Sequence, residues 1–248
     1  MPEENSLPVQ VTDLHKSFGE QTVLDGVKLQ VRQAETVAVM GRSGTGKSVL
    51  LKLLIGLQRA DSGSIRMSGR EIGKLPVREL NEVRKKIGFL FQQSALYDSL
   101  TVEENVIFPM ARHSSRPPEE QKQRARELLS SLGMATDFDK LPSQISGGMQ
   151  KRVGLARALA LDPEILLFDE PTSGLDPITA SEIAGLIVDL KKKRRITSVV
   201  VTHDLRGARA FADRVLLIHK GKVVAEGDIA ELEKSQDAFV VQFMRDAL

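Results

Sequence analysis

Gly41-Arg42-Ser43-Gly44-Thr45-Gly46-Lys47-Ser48 sets a glycine-rich loop between an apolar strand, Thr36 to Met40, and an apolar helix beginning near Val49. Strand, flexible loop and helix in that order make a phosphate cradle. The glycines let successive backbone N–H groups converge on one point, and the helix N-terminus adds partial positive charge there. In this pattern Lys47 sits on the β- and γ-phosphates of a nucleotide, and the Ser48 hydroxyl on a magnesium ion. The strand before and the helix after are the context that separates this motif from an ordinary strand-to-helix turn.

Around that loop the chain is an ordinary α/β sequence. Its 248 residues are enough for one large domain or two small ones with a substantial core. Lys plus Arg number 35 and Asp plus Glu 33, and the resulting net charge of +2 gives no sequence-wide reason to expect a nucleic-acid partner. The absence of cysteine excludes disulfides and thiolate metal sites, and His15, His113, His203 and His219 are too scattered for a zinc signature. Met1-Pro-Glu-Glu-Asn has neither the basic start nor the apolar stretch of a signal peptide, and the apolar run around Leu50 to Leu57 is too short to span a bilayer. A soluble, cytoplasmic chain is expected.

Residues 8 to 40 read as short strands, Val9 to Val11, Thr22 to Leu24, Val27 to Val31 and Thr36 to Met40, with turn signals at Phe18-Gly19 and Asp25-Gly26. With Gly63 to Met67 they make a mostly antiparallel layer against the phosphate loop. A helix is expected from Pro76 to Lys86 and a strand from Ile87 to Phe91. Residues 101 to 161 read as almost entirely helical, broken at Arg116-Pro-Pro118, Leu141-Pro142 and Gly147-Gly148. Ile165 to Phe168 and Ser198 to Val201 are fully apolar strands separated by a helix, Ile178 to Lys193, a pattern of parallel strands covered on both faces. A hairpin about Lys220-Gly221 precedes a final helix. No internal repeat or low-complexity segment is visible.

The ends of those strands carry the remaining chemistry. Asp169-Glu170 closes a buried strand, the place where open α/β sheets put ligand-binding groups. Asp169 suits a magnesium ion held through its water shell, and Glu170 can polarise an attacking water as general base. One strand later, Thr202-His203-Asp204 leaves an imidazole at the same edge, able to sense a γ-phosphate. Gln92, following Gly88-Phe-Leu-Phe91, can reach a metal or the water. Phe18 can stack on adenine or belong to the core. Ser146-Gly147-Gly148-Met149 opens a further helix and forms a second anion site, a surplus that a symmetric dimer with nucleotides sandwiched between chains resolves. The run Lys191-Lys-Lys-Arg-Arg195 ends a helix, where cations favour the macrodipole, against the alternative of contact with anionic lipid.

Together these pieces resemble the ATP-binding subunit of ABC transporters, from about Val9 to Ala230. The motifs stand in that family's order: A-loop aromatic Phe18, Walker A Gly41 to Ser48, Q-loop Gln92, signature Ile145 to Met149, Walker B Ile165 to Asp169, catalytic Glu170, D-loop Ser173 to Asp176 and switch His203. The resemblance implies an α/β P-loop NTPase fold with a RecA-like parallel-sheet core, an N-terminal antiparallel β layer and a helical subdomain inserted over about 94–161, all in one nucleotide-binding domain covering 1–248. It implies ATP and Mg2+ as ligands. ATP is contacted by Phe18, by Gly41, Arg42, Ser43, Gly44, Thr45, Gly46, Lys47 and Ser48, and by Val49. The ion is held by Ser48, Gln92 and Asp169, and Glu170, His203, Gln92 and Lys47 act in catalysis. Ser146, Gly147, Gly148 and Met149, with Asp176, serve the opposite subunit's nucleotide.

The family's signature is commonly Leu-Ser-Gly-Gly-Gln, and here Ile145 and Met149 replace its ends, which removes a possible ribose contact. The longer stretch Ser146-Gly-Gly-Met-Gln-Lys-Arg-Val-Gly-Leu-Ala-Arg-Ala158 is similar to the branch that energises Mla and Mce lipid-transport systems, as are Phe91 to Tyr97, Asp169 to Ile178 and Asp237 to Phe243. This implies a homodimer of ATPase subunits on the cytoplasmic face of the inner membrane, an integral-membrane permease, an Mce-domain lipid-binding protein and phospholipid as cargo. The competing readings are another cargo, polar amino-acid import or lipoprotein release, and a soluble ABC ATPase of DNA repair or translation. The last expects coiled coils, zinc-cysteine insertions or tandem cassettes. A non-ABC P-loop kinase has no use for Ser146 to Met149 or Ser173 to Asp176.

Overall fold

In a computed structural model, which describes residues 7–42 and 44–246, Val9–Phe18 (β1) and Gln21–Val31 (β2) pair antiparallel. Ser62–Met67 (β4) and Arg70–Glu71 (β5) complete a four-stranded sheet in the order β2-β1-β4-β5. The expected turn at Asp25-Gly26 is instead a bulge inside one continuous strand: Leu14 faces Val27 and Lys16 faces Leu24, so β2 spends three residues where β1 spends two. An extra residue in β1 between Val11 and Leu14 has the opposite sense, a further one in β2 falls between Thr22 and Leu24, and the pairing survives all three.

Thr36–Met40 (β3) does not join this layer as the sequence suggested. It lies inside a second, six-stranded sheet with Ile87–Leu90 (β6), Ile165–Asp169 (β7), Thr197–Thr202 (β8), Arg214–His219 (β9) and Lys222–Gly227 (β10), ordered β10-β9-β3-β8-β7-β6. All neighbours are parallel except the edge hairpin β9-β10. The reason is burial on both faces. Val37, Val39, Leu167, Val199 and Leu216 point into a core shared with the antiparallel layer, while Ala38, Met40, Leu166, Phe168 and Val200 point into the helical core opposite. Alternate side chains of one strand thus feed two different cores, and the polar residues that β3 and β8 carry, Thr36, Thr197, Ser198 and Thr202, stand at or next to the strand ends.

Lys47–Leu54 (α1) packs on the first core and Val77–Lys85 (α2) leads into β6. Val102–His113 (α3), Pro118–Ser131 (α4) and Gly147–Leu159 (α5) pack on one another. Residues 132–146 are not helical apart from a 3₁₀ turn at Pro142–Gln144, and Gly147-Gly148 is the first turn of α5 rather than a break. Pro177–Arg194 (α6) and Leu205–Phe211 (α7) flank β8, and the single final helix expected is two, Ile229–Glu233 (α8) and Ala238–Asp246 (α9). Register places the strand ends together: Met40 pairs with Thr202 and Asp169 with Val201, so the segments after β3, β7 and β8 leave the sheet at one edge.

Candidate active site

At that edge Gly46 caps α1 in a left-handed conformation, φ 91°, with no side chain bonding the helix's first N–H groups. An L side chain is strained there, and a Cβ would lie 2.7 Å from Val23 Cγ1. Open amides and the helix dipole therefore face the loop together. Lys47 is buried, and its Nζ donates to the Gly41 carbonyl at 2.9 Å and the Arg42 carbonyl at 3.1 Å. Burial pulls its pKa down, while the nearby Glu170 and Asp169 charges pull it up. The Thr45 hydroxyl donates to the Arg42 carbonyl at 2.9 Å.

The Ser48 hydroxyl donates to Asp169 Oδ1 at 2.7 Å across the gap between α1 and β7. Burial raises the Asp169 pKa, and the Glu170 carboxylate adds to that, against the Ser48 bond. Glu170 follows in a left-handed conformation, φ 48°, with its N–H donating to the Val201 carbonyl at 2.9 Å. Its Oε2 lies 2.9 Å from His203 Nδ1 and accepts from the His203 backbone N–H at 3.3 Å. The carboxylate is nearly buried while the imidazole is largely exposed.

Phe18, Val23, Gly44, Thr45, Gly46, Lys47, Ser48, Val49, Gln92, Glu170 and His203 line one cleft of about 580 Å³. Phe18 is 46% exposed, leaving a ring face free to receive a flat apolar group, with the Lys16 ammonium 5.2 Å from its centroid. The donor set suits magnesium: a hydroxyl, a carboxylate and a neighbouring amide are hard oxygen ligands, and such sites are completed by water and phosphate rather than by an all-protein cage. Among the described residues no three His, Cys, Asp or Glu converge as a zinc-type site would require.

Other expected residues lie elsewhere. Gly41 and Arg42 reach the site through their carbonyls, and the Arg42 guanidinium lies 5.9 Å from the Phe239 ring centroid of α9. Ser43 lies outside the described residues. Ser146 caps α5, its hydroxyl accepting from Met149 N at 3.3 Å, and Met149 packs against the helical core. Asp176 caps α6, accepting from Ile178 N at 3.0 Å and Thr179 N at 3.1 Å. A Cβ on Gly148 would collide with the Thr179 methyl, so the two helix starts pack closely. None of Ser146, Gly147, Gly148, Met149 or Asp176 lines this chain's cleft.

Sequence reading missed Lys151. It is 4% exposed, and its ammonium donates to the Gln92 carbonyl and, at 3.3 Å, to the Glu170 carbonyl. Burial lowers its pKa against the raising charges of Asp169 and Glu170. The available signal was a lysine on a helix otherwise continuing into Val153, Leu155 and Ala156. Val23, whose side chain faces Gly46, had no signal beyond its β-propensity.

A family model described as ABC transporter matches residues 24–173. The methionine import ATP-binding protein of Mesorhizobium japonicum is 41% identical over 228 residues, 92% of this chain and 62% of that protein. The chain spans about three-fifths of the length of this and two further methionine-import relatives. The intermembrane phospholipid transport system ATP-binding protein of Haemophilus influenzae is 40% identical over 237 residues, 96% of this chain and 90% of that protein. Among solved structures, the ATP-binding cassette MJ0796, as a dimer in a post-hydrolysis state bound to ADP and Pi, superposes with a TM-score of 0.82 at 36% identity, covering 89% of this chain and 98% of that one.

Proposed function

The chain belongs to the ABC transporter family, and we propose that it is the ATP-hydrolysing subunit of a transport complex that moves phospholipid. The observation that carries the ATPase reading is the meeting, at one cleft, of a lysine-bearing phosphate loop, Ser48 with Asp169 bonded to its hydroxyl, and the Glu170–His203 pair. The α1 amides and Lys47 hold the β- and γ-phosphates, and the exposed Phe18 ring receives the adenine. Ser48, Asp169 and Gln92 would hold magnesium, which would neutralise charge on the phosphates. Glu170, bonded by His203 at 2.9 Å, accepts the proton of an in-line water while Lys47 stabilises the charge that develops on the γ-phosphate.

Ser146 and Gly147 are exposed and do not line the chain's own cleft, a placement that fits action on a second subunit's nucleotide in a homodimer. Among the described residues no helix is long and apolar enough to cross a membrane; the transport reading pairs this subunit with an integral-membrane permease and sets it on the cytoplasmic face of the inner membrane. The lipid cargo and an Mce-domain partner draw support from the phospholipid-transport relative, 90% of whose length is matched. Methionine-import relatives at 41–43% identity favour a second reading, amino-acid import. Tagged protein recovered from its native membrane in detergent decides between them. The lipid reading expects a polytopic permease, an Mce-domain protein and bound phospholipid, and recovery with an amino-acid permease overturns it. Absence of magnesium-dependent phosphate release from ATP by the purified protein overturns the ATPase reading itself.

A further inference from the structure

We propose that Lys151 is a positioning residue for the hydrolysis reaction, tying helix α5 to the segments that carry Gln92 and Glu170. The inference rests on the ATPase reading above and adds a residue that reading does not use.

Lys151 lies five residues beyond the capping Ser146, about 7.5 Å along α5, and does not line the nucleotide cleft. Its ammonium donates to two carbonyls that belong to different segments, those of Gln92 and Glu170. Six residues further along the same helix, Arg157 donates to the Ser94 and Ala95 carbonyls at 2.6 and 2.8 Å. The segment after Gln92 is thus gripped at two points by cations of one helix. Both segments carry sparsely populated backbone: Ser94 and Ala95, in a turn closed by Ser94 N–H to the Phe91 carbonyl at 2.9 Å, are non-glycine residues at φ 58° and 47°, and Glu170 stands at 48°. Sparsely populated backbone conformations persist only where the surroundings over-determine them. Here Lys151 and Arg157 add to the local backbone bonds that hold them.

A desolvated lysine is costly, and a merely space-filling position would be better served by methionine or leucine. The arrangement connects the exposed Ser146-Gly147 end of α5 to this chain's own Glu170 through a single rigid helix. A displacement of that end by a second subunit is then transmitted to the proton acceptor and to Gln92.

Lys151→Met keeps the length and removes the donors, and Lys151→Gln keeps a donor that reaches fewer carbonyls. Full-length variants are compared with the wild type for ATP affinity, kcat, KM, melting temperature and hydrogen exchange of the amides over 92–97 and 170–173. For Lys151→Met the expectation is a kcat at least tenfold lower, ATP affinity within threefold of the wild type, and faster exchange in both segments. Lys151→Gln falls between, at least threefold below wild-type kcat with affinity kept. Wild-type kcat and unchanged exchange in either variant overturn the proposal. So does a loss of affinity and melting temperature in step with kcat, the mark of a purely structural role. A wild-type chain that does not hydrolyse ATP refutes the ATPase reading instead, and the exchange of the two segments then still decides whether Lys151 ties them.

Discussion

Replacing Lys47 with methionine separates nucleotide binding from folding. The ammonium is bonded to the Gly41 and Arg42 carbonyls at 2.9 and 3.1 Å and lies buried near the Asp169 and Glu170 charges. Losing two charge-assisted bonds costs about 1.5–3 kcal/mol each, but the substitution also removes the desolvation penalty of the ammonium, several kcal/mol. These oppose one another, and folding stability should change by no more than about 2 kcal/mol. A bound triphosphate has no such compensation. Truncating one partner of a buried charge pair costs about 2–5 kcal/mol, or roughly 30- to 5,000-fold in affinity. Urea unfolding followed by circular dichroism measures the first quantity, and titration calorimetry with a non-hydrolysable ATP analogue and magnesium measures the second. Analogue affinity within threefold of the wild type, in a variant with a native spectrum, would refute the cradle and with it the assignment of the phosphate site.

Glu170→Gln preserves the shape that His203 contacts but cannot accept a proton from water, so phosphate release should fall by at least about 100-fold while ATP still binds; size-exclusion chromatography should then show ATP-dependent dimers, and a variant hydrolysing at wild-type rate removes Glu170 from the mechanism. Ser146→Arg should abolish hydrolysis without weakening ATP binding to the isolated chain, and mixing it with Lys47→Met chains should restore partial activity by rebuilding one intact composite site; no recovery in proven mixed dimers contradicts the sandwich. Asp162 accepts from Arg116 at 2.8 Å and from Arg124, with Arg194 at 3.6 Å. Burial works to raise its carboxyl, and the Arg116 bond with the Arg124, Arg116 and Arg194 charges outweighs it, holding the pKa below the usual carboxylate value. A depressed folded-state pKa contributes stability that is present above the unfolded value, about 3.9, and lost as pH falls through the folded one. Asp162→Asn should therefore be less stable than the wild type in urea at pH 7, by a margin that shrinks as pH falls below the unfolded value and through the folded one, and a deficit that stays constant as the pH is lowered would contradict the ion-pair account.

The phosphate loop, the acids closing β7, the histidine closing β8 and the capping serine of α5 were legible because each is a local pattern: a few residue types at fixed spacing on a recognisable strand or helix end. Asp25-Gly26 shows where local reading stops, since the same dipeptide serves a hairpin turn or a bulge, and only the partner strand β1 decides which. Lys151 shows it again, because nothing in the neighbouring residues says that its ammonium will be enclosed by carbonyls from residues 92 and 170.

The sequence by itself determined the kinds of chemical group present, the order in which they leave the sheet and the strands buried on both faces, because propensity, hydrophobic period and motif spacing are properties of neighbours along the chain. Tertiary structure alone decided that β3 stands between β8 and β9, that the Ser48 hydroxyl meets Asp169 at 2.7 Å and His203 meets Glu170 at 2.9 Å, and that Ser146 does not line its own chain's cleft. Those outcomes depend on pairings between distant residues: Ser48 and Asp169 are 121 positions apart, and β3 meets β9 by pairing Val37 with Arg214. Such pairings are selected by the joint burial of two cores, a sum over the whole chain that no local window contains.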